Sequence, residues 1–441
     1  MSPLPDPSLP DPLSQRTTSK VRWRIIPLLF VLYVISYLDR ANIGYAALQM
    51  NAELALSTQA YGFAAGIFFI GYFLFEVPSN MALSRYGARL WISRILVSWG
   101  IVASLCAFVR TPLQLYVLRF LLGVAEAGFF PGIIIYMTYW FRARDQATSV
   151  ALFTAAIPVS YLIGAPMSTW IMDHVHWYGM SGWRWMILLE GIPALLGGLA
   201  CYALLTDRPE QAQWLQRDEK LWLAAELAKD HAQRDHVRKL GTFQAITDPK
   251  VLLLALIYFV YQAGSLGVGY WMPQIIRDLS AQLTNFEIGL LAMIPYGVAT
   301  VTMILWSRHS DRTGERQWHA AIPLLVATFA LAAAGFMSTT FASLTLITVA
   351  LSGLYAFKSP FWSLPGLFLT RSTAAISIAA INSIGNLGGF VGPYLIGLAK
   401  ELTGQQVGGL LFLSSLLLVA FLLTAFVRLS GKIIRAAQVP S

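Results

Sequence analysis

Long apolar segments separated by short polar turns fill almost the whole chain from residue 23 to residue 428. A membrane-spanning α-helix needs about 20 mostly apolar residues, because the hydrocarbon core of a bilayer is about 30 Å thick. The pattern therefore predicts an all-α polytopic membrane protein. Its twelve predicted spans are residues 23–49, 59–83, 89–109, 113–138, 147–172, 184–205, 250–276, 286–306, 319–337, 341–369, 373–399 and 406–428.

The longest polar interruption follows the sixth predicted span and divides the spans into two groups of six. It contains a charged segment, residues 214–239, whose composition favours a helix, and we predict that it forms a cytoplasmic linker at the membrane surface. The predicted segments are a disordered cytoplasmic tail, an N-terminal bundle, the linker, a C-terminal bundle and a second cytoplasmic tail, at residues 1–20, 21–205, 206–249, 250–430 and 431–441.

Composition agrees with a membrane protein, since 56% of the residues are hydrophobic and 12% are charged, against about a quarter charged in soluble domains. The net charge of +9 would suit nucleic acid or anionic lipid, so the positions of the basic residues decide. With the N-terminus inside, 24 of the 31 Lys and Arg residues fall in inner segments and 4 in outer loops. This positive-inside asymmetry predicts a bacterial inner-membrane protein with both termini cytoplasmic and no nucleic-acid partner.

A short basic turn with a central glycine recurs at the same place in each half, after the second and after the eighth predicted span. The two turns are residues 84–89 (SRYGAR) and residues 310–316 (SDRTGER). Such internal repetition is typical of transporters built from related halves, in which the substrate binds near the midplane between them.

Four charged side chains lie inside predicted spans of the first half: Asp39 and Arg40 in the first, Arg119 and Glu126 in the fourth. A charge at the bilayer centre is costly and persists where it faces a cavity, forms a pair or has a function. Arg119 and Glu126 are seven residues apart, which places them on nearly the same helix face, about 10 Å apart along the axis. Structural ion pairs between helices would explain the same residues.

The chemistry of these side chains suits the binding of an anion together with protons. Arginine keeps its charge, and its fork matches a carboxylate, whereas a buried carboxylate can gain and lose a proton. Three further charges lie inside spans. We expect Glu76 to pair with arginines of the first basic turn and Glu190 to bond the backbone near Pro193. Lys358 binds an anion, lies in an inner cavity or extends to the interface.

The sequence around these charges is distinctive in both halves. The first half contains YLDRANIG at 37–44, FIGYFLFEVPSN at 69–80 and RFLLGVAEAGFFPG at 119–132; the second contains WMPQ at 271–274, SDRTGERQW at 310–318, PFW at 360–362 and INSIGNLGG at 381–389. These motifs resemble the anion:cation symporter family of the major facilitator superfamily, over about residues 25–425. The resemblance is greatest to tartrate, 4-hydroxyphenylacetate and phthalate permeases and more distant to D-galactonate and hexuronate transporters.

The resemblance implies twelve helices in two pseudo-symmetric six-helix bundles and proton-driven import of an organic carboxylate by alternating access. In the related sugar-acid transporters an aspartate of the first span and a glutamate of the fourth carry protons, which corresponds to Asp39 and Glu126 here. The first-span arginine contacts the substrate carboxylate, which corresponds to Arg40. The fourth-span arginine couples the two events, which corresponds to Arg119.

The same resemblance assigns further positions to the pocket and to the gates. The pocket positions are Tyr37, Tyr72, Asn386, Ser363 and Gln262. The first basic turn has Asn80 and Ser84 where the superfamily has a Gly-x-x-x-Asp pattern, which weakens a gating salt bridge in the first half. The second half retains that salt bridge at Asp311 and Arg312, and Arg89 is the gating residue expected in the first half.

Several alternatives stay open at this point. A facilitator or exporter of organic acids would use the same scaffold, and the anion is either tartrate-like or aromatic. A membrane enzyme is more remote, because the sequence has no HExxH motif, Walker loop or metal-spaced Cys or His cluster. We expect no metal site and no cofactor, with protons as the coupling ion. The expected partners are a small organic anion, protons and the lipid bilayer, and the expected state is a monomer.

Overall fold

The computed structural model describes residues 12–235, 247–279, 282–337, 339–365, 371–404 and 406–427, and no β-strand occurs among them. Its helices are α1 (Pro12–Glu53), α2 (Thr58–Tyr86), α3 (Ala88–Cys106), α4 (Pro112–Glu126), α5 (Phe129–Thr138), α6 (Ala143–Thr154), α7 (Ala156–His174), α8 (Gly182–Leu204), α9 (Arg217–Asp235), α10 (Pro249–Leu279), α11 (Asn285–Thr313), α12 (Gln317–Ala334), α13 (Thr340–Ser363), α14 (Arg371–Asn386), α15 (Gly388–Thr403) and α16 (Gln406–Ala425). Short turns join them.

In the described part of the chain, eleven segments are long and apolar enough to cross a membrane. They match the predicted spans except for the eleventh, which is divided at Leu387 into α14 and α15, of 16 residues each. A helix of that length measures about 24 Å, shorter than the hydrocarbon core, so α14 and α15 cross it only as a pair. The fourth and fifth spans are also divided, into α4 with α5 and α6 with α7.

Helices α2 and α4 approach each other closely enough for backbone contact, and glycine permits this approach. A Cβ atom at Gly123 of α4 would collide with the carbonyl oxygen of Phe68 in α2, and one at Gly71 with that of Phe120. Packing through small residues is the usual way in which membrane helices associate. The close approach brings Arg119 of α4 next to the backbone of α2.

The two halves are bonded to each other mainly on the far side of the molecule, which we define as the side away from the linker helix α9. The hydrogen bonds there join Asn51 to Gln274, Thr58 to the Gly397 carbonyl, Gln59 to Tyr394 and Glu401, Tyr61 to the Tyr270 carbonyl, and Asp173 to Asn285 and the Phe286 amide. Towards the linker side, the Ser383 hydroxyl donates to Glu76 Oε2 at 2.7 Å. The described interface is therefore closed on the far side.

The expected disorder of residues 1–20 is wrong for its second part, because α1 already begins at Pro12. These first turns are held by the linker and by the turn before α6. Arg16 Nε and Lys20 Nζ donate to Glu219 of α9 at 3.1 and 2.9 Å, and Arg142 donates to Ser14 and Thr18 at 3.2 and 3.1 Å. Polar side chains that looked unstructured in sequence thus have partners distant in sequence. Residues 1–11, part of the predicted linker and the predicted second tail lie outside the described residues.

Candidate functional site

Arg40 of α1 and Glu126 of α4 form an ion pair inside the N-terminal half. The Arg40 Nε and Nη2 atoms both lie 2.8 Å from Glu126 Oε1. The Ser36 hydroxyl, one helical turn before Arg40, donates to the same oxygen at 2.7 Å. Glu126 is fully buried, whereas the Arg40 side chain is 17% exposed. The arginine therefore joins the buried carboxylate to a more open space.

The position of Glu126 follows from a helix break directly after it. Glu126 is the last residue of α4, and Gly128 has a φ of 84° in the left-handed region, which glycine adopts at little cost. A Cβ atom at Gly128 would lie 2.5 Å from Ser79 Oγ of α2. Both the backbone angle and the close contact require glycine at position 128. This glycine therefore determines that α4 ends directly at Glu126.

Aromatic rings enclose the guanidinium group of Arg40. The Arg40 Cζ atom lies 5.5 Å from the ring centre of Tyr37, 5.4 Å from that of Phe68 and 5.2 Å from that of Tyr72. Cations are attracted to aromatic faces at such distances. Tyr37 and Tyr72, both predicted for the pocket, therefore lie beside the predicted anion-binding arginine. Phe68 also lies there, although in the sequence it is one of many apolar residues of the second span.

Asp39 and Arg119 lie on another side of α1 from the ion pair. They line one small cavity together with Asn42 and Cys106. Asp39 is 2% exposed, and its Oδ1 accepts a long hydrogen bond of 3.4 Å from Asn42. Adjacent residues on a helix diverge by about a quarter turn, which is why Asp39 and Arg40 reach different surroundings.

Arg119 is buried but has no carboxylate partner within the described residues. Its Nε donates to the Ala64 carbonyl at 3.3 Å, and its Nη2 to the Ala65 carbonyl at 3.5 Å. Its Cζ lies 5.2 Å from the Phe68 ring, so the guanidinium groups of Arg40 and Arg119 both contact that ring. Arg119 and Glu126, about 10 Å apart along α4, form no ion pair, and the carboxylate pairs with Arg40 of α1.

Two further buried carboxylates have partners that differ from the expected ones. Glu76 accepts a hydrogen bond from Ser383 of the other half, not from an arginine of the first basic turn. Glu190 Oε1 accepts from the Ser168 hydroxyl of α7 at 2.5 Å, not from the backbone near Pro193. In sequence, each was visible only as an acid in an apolar segment, since the partner comes from a helix distant in sequence.

The predicted pocket residues of the C-terminal half are partly brought together. Gln262 of α10 donates to Asn386 Oδ1 of α14 at 3.2 Å. Ser363 instead donates to the Ser359 carbonyl of its own helix at 3.1 Å and joins no network with them. In the described part of the chain, no group of three or more His, Cys, Asp or Glu side chains could hold a metal ion.

The predicted gating residues lie in turns at the linker side. Asp311 pairs with Arg316 at 2.6 Å, whereas Arg312 forms no ion pair among the described residues. In the first half, the Arg89 amide donates to Asp207 at 2.8 Å and Arg89 Nε donates to the Tyr202 carbonyl at 2.6 Å. Both sets of contacts stay within one half, so they stabilise the turns rather than bridge the two bundles.

Comparison with known proteins identifies the family of this chain. Residues 29–393 match the sequence model of the Major Facilitator Superfamily. The chain belongs to this superfamily. A relative from Agrobacterium vitis, named "Putative tartrate transporter", is 47% identical over 412 residues, which cover 93% of this chain and 91% of the relative. A "Quinolone resistance transporter" from Acinetobacter baumannii is 39% identical, over 92% of this chain and 94% of its own length.

Solved structures show the same superfamily fold. A crystal structure of a bacterial homologue of the human lysosomal transporter Spinster matches with a TM-score of 0.77, over 96% of this chain and 99% of that chain, at 15% identity. The predicted family, the predicted two-bundle helical fold and the prediction that the protein is not an enzyme are thereby confirmed. The superfamily member described here is a multi-pass membrane transporter of small molecules.

Proposed function

We propose that this transporter imports an organic carboxylate together with protons, and that the substrate and Glu126 compete for Arg40. The observation that carries the proposal is the geometry of the ion pair, in which two nitrogens of Arg40 bind one oxygen of Glu126 at 2.8 Å. A substrate carboxylate would offer the same fork two oxygens, which is the stronger, bidentate arrangement. The partial exposure of Arg40 gives the substrate access to it.

The exchange couples substrate and proton. When a substrate carboxylate binds Arg40 in place of Glu126, Glu126 stays buried and loses its counter-ion. An unpaired buried charge costs several kcal/mol. Taking up a proton removes that charge, while the Ser36 hydroxyl remains as a hydrogen-bond partner. When the proton leaves towards the cytoplasm, ionised Glu126 recaptures Arg40 and displaces the substrate. Substrate and proton therefore travel in the same direction.

Asp39 and Arg119 form a second part of the proposed cycle. Asp39 is buried beside Arg119 in a shared cavity, and Arg119 has only carbonyl oxygens as hydrogen-bond partners. We assign Asp39 as a second proton carrier. Arg119 would communicate with the ion pair through Phe68, whose ring contacts both guanidinium groups. This arrangement needs no cofactor, and a monomer contains all of it.

A tartrate-like acid is the substrate that the relatives favour, because the relative from Agrobacterium vitis carries that name and matches over nearly its whole length. In the proposed orientation, both termini and α9 lie on the cytoplasmic side of a bacterial inner membrane. Export of an organic acid is the second candidate, since the relative from Acinetobacter baumannii is named for quinolone resistance. Collapse of tartrate accumulation by a protonophore would favour import by symport over export or facilitated diffusion.

The deciding experiment compares proton-driven and gradient-free transport in proteoliposomes. An imposed inward proton gradient should drive accumulation of radiolabelled tartrate by the wild type. The E126Q variant should lose this accumulation while it still exchanges internal for external tartrate, because exchange needs no net proton movement. The E190Q variant is the matched control, since Glu190 is also buried but contacts Ser168. Full gradient-driven accumulation by E126Q would overturn the assignment of Glu126.

A further inference from the structure

Lys358 is a cation in the C-terminal half whose position points to the interior of the molecule. It lies on α13, five residues before the helix ends at Ser363. Side chains of an α-helix tilt towards its N-terminus, which for α13 is the far side. The ammonium group accordingly extends towards the bilayer centre and lies 5.1 Å from the ring centre of Tyr355. This direction is opposite to that needed to reach the nearer interface.

The described residues provide no carboxylate partner for Lys358. Every ion pair that the described C-terminal half makes lies at a helix end or in a turn, as with Asp311 and Arg316 or Lys400 and Asp278. A lone cation within a span is costly unless it faces a polar cavity or an anion. Lys358 is only partly buried, so an anion entering between the halves can reach it.

A row of tyrosines connects Lys358 to Arg40 of the other half. From Tyr355 the ring centres lie 6.2 Å from Tyr296, and Tyr296 stacks on Tyr161 at 4.4 Å. Tyr161 lies 6.0 Å from Tyr37, which contacts Arg40. The step between Tyr296 and Tyr161 crosses from α11 to α7, that is, between the two halves. Both cations thus border one tyrosine-lined region.

The two cations also lie at similar depth in the membrane. Arg40 is 13 residues from the far end of α1 at Glu53, which corresponds to about 20 Å. Tyr355, whose ring lies beside the ammonium group of Lys358, is 15 residues from the far end of α13 at Thr340, about 22 Å. Tyr37 and Tyr161 are partly exposed. A ligand at this depth can therefore approach both cations from between the bundles.

We propose that Lys358 binds a second carboxylate of the substrate, so that the transporter selects dicarboxylates over monocarboxylates. This inference rests on the proposed function, in which Arg40 binds the first carboxylate. Arginine supplies the planar fork for one end of the diacid, and lysine supplies a compact charge with three donors for the other. The tyrosine hydroxyls between them suit hydroxyl groups of the ligand. A bound dicarboxylate attracts both halves and draws them together, which a monocarboxylate cannot do.

The test uses two acids that differ at one end and measures how tightly each binds to the purified transporter at equilibrium. Tartrate has a carboxylate at both ends, whereas threonate has a hydroxymethyl group in place of one carboxylate. The K358Q variant should bind tartrate roughly 10- to 100-fold more weakly, as expected for loss of a hydrogen bond between charged groups. Its affinity for threonate should stay at the wild-type value, which also shows that the variant is folded.

Two further variants make the result specific. K358R keeps the charge and should retain most of the tartrate affinity. K400Q makes the same neutralising change at a lysine that is paired with Asp278 on the far side, and it should bind both acids like the wild type. An unchanged tartrate affinity in K358Q, or an equal loss for tartrate and threonate, would overturn the role of Lys358.

The proposed function fails in a different way. It predicts that R40Q weakens the binding of both acids. Full binding of tartrate and threonate by R40Q would contradict the role of Arg40, whereas the K358Q measurement tests Lys358 independently.

A second pair, phthalate and benzoate, extends the measurement to aromatic acids. A wild type that binds the monoacid of each pair as tightly as the diacid would contradict the dicarboxylate proposal. A wild type that binds none of the four acids would contradict the proposed function itself.

Discussion

The two halves of the transporter share a fold but carry different charges within their spans. The spans of the N-terminal half contain four buried carboxylates, Asp39, Glu76, Glu126 and Glu190, and the two arginines Arg40 and Arg119 described above. Among the described residues of the C-terminal half, no buried carboxylate occurs in a span, and the charge there is Lys358. Three neutral polar residues of that half also form hydrogen bonds: Gln262 donates to Asn386, and Ser383 donates to Glu76 of the other half.

This difference separates two tasks that one binding site has to perform. The buried carboxylates within the spans of the N-terminal half outnumber Arg40 and Arg119, so ion pairs with these two arginines cannot neutralise all of them, and in the proposed cycle protons do so. The C-terminal half offers a charge without an internal partner. In the proposed cycle, the first half exchanges protons and the second half provides a fixed attraction for the substrate.

Removing Arg40 should cost the most, because it leaves Glu126 buried with only Ser36 as a partner. Loss of one member of a buried ion pair typically costs about 3–5 kcal/mol, so R40Q should lower the unfolding midpoint of the detergent-purified protein strongly. The double variant R40Q/E126Q has no unpaired charge and should recover most of that stability while transport stays absent. A double variant as unstable as R40Q would show that the pair is not the reason for the loss.

Breaking the contact between the halves should have an intermediate effect. The S383A variant removes the donor to Glu76, and a hydrogen bond to a charged group contributes about 1.5–3 kcal/mol. We expect the two halves to separate more often at the linker side. This is measured as a longer distance between spin labels placed on that side of each half, after the buried Cys106 and Cys201 have been replaced.

The matched variant on the opposite side is D173N. Asp173 accepts hydrogen bonds from Asn285 and the Phe286 amide on the far side. Weakening these bonds should open the far side and bring the spin labels at the linker side closer together. Opposite distance changes in S383A and D173N would support a balance between the two ends of the interface. The same change in both variants would contradict it.

The sequence predicts the spans and the unusual charges well, because hydropathy and an acid in an apolar segment are local features. It does not predict which charges pair. The spacing of Arg119 and Glu126 places them on one face, yet Glu126 pairs with Arg40 of α1, 86 residues away in sequence. Ser383 and Glu76 are 307 residues apart, so only the assembled halves reveal their contact. Hydropathy alone does not locate the helix break at Gly128, because an averaged window passes over it.

The smallest predicted effect concerns the linker, which adds to the asymmetry because α9 binds the N-terminal half. Burial alone would raise the pKa of the Glu219 carboxyl, but the Gln216 amide and the charges of Lys20 and Arg16 outweigh burial and hold the pKa below its ordinary value. A carboxyl with a lowered pKa stabilises the docked linker above its ordinary pKa and loses that contribution as the pH falls through the lowered value. Docking should therefore weaken only under acidic conditions.

The E219Q variant should reproduce that weakening at neutral pH. The side chains of Arg16 and Lys20 are 53% and 39% exposed, and ion pairs of exposed side chains contribute little. We therefore expect a loss of about 1 kcal/mol, measured as faster proteolysis within the linker. The control is D218N, which removes an exposed carboxylate that contacts Arg16 at 2.9 Å and should change proteolysis less. Transport by both variants should remain close to that of the wild type, since neither residue lies between the two halves. Equal proteolysis of E219Q and D218N would contradict the special role of the buried glutamate.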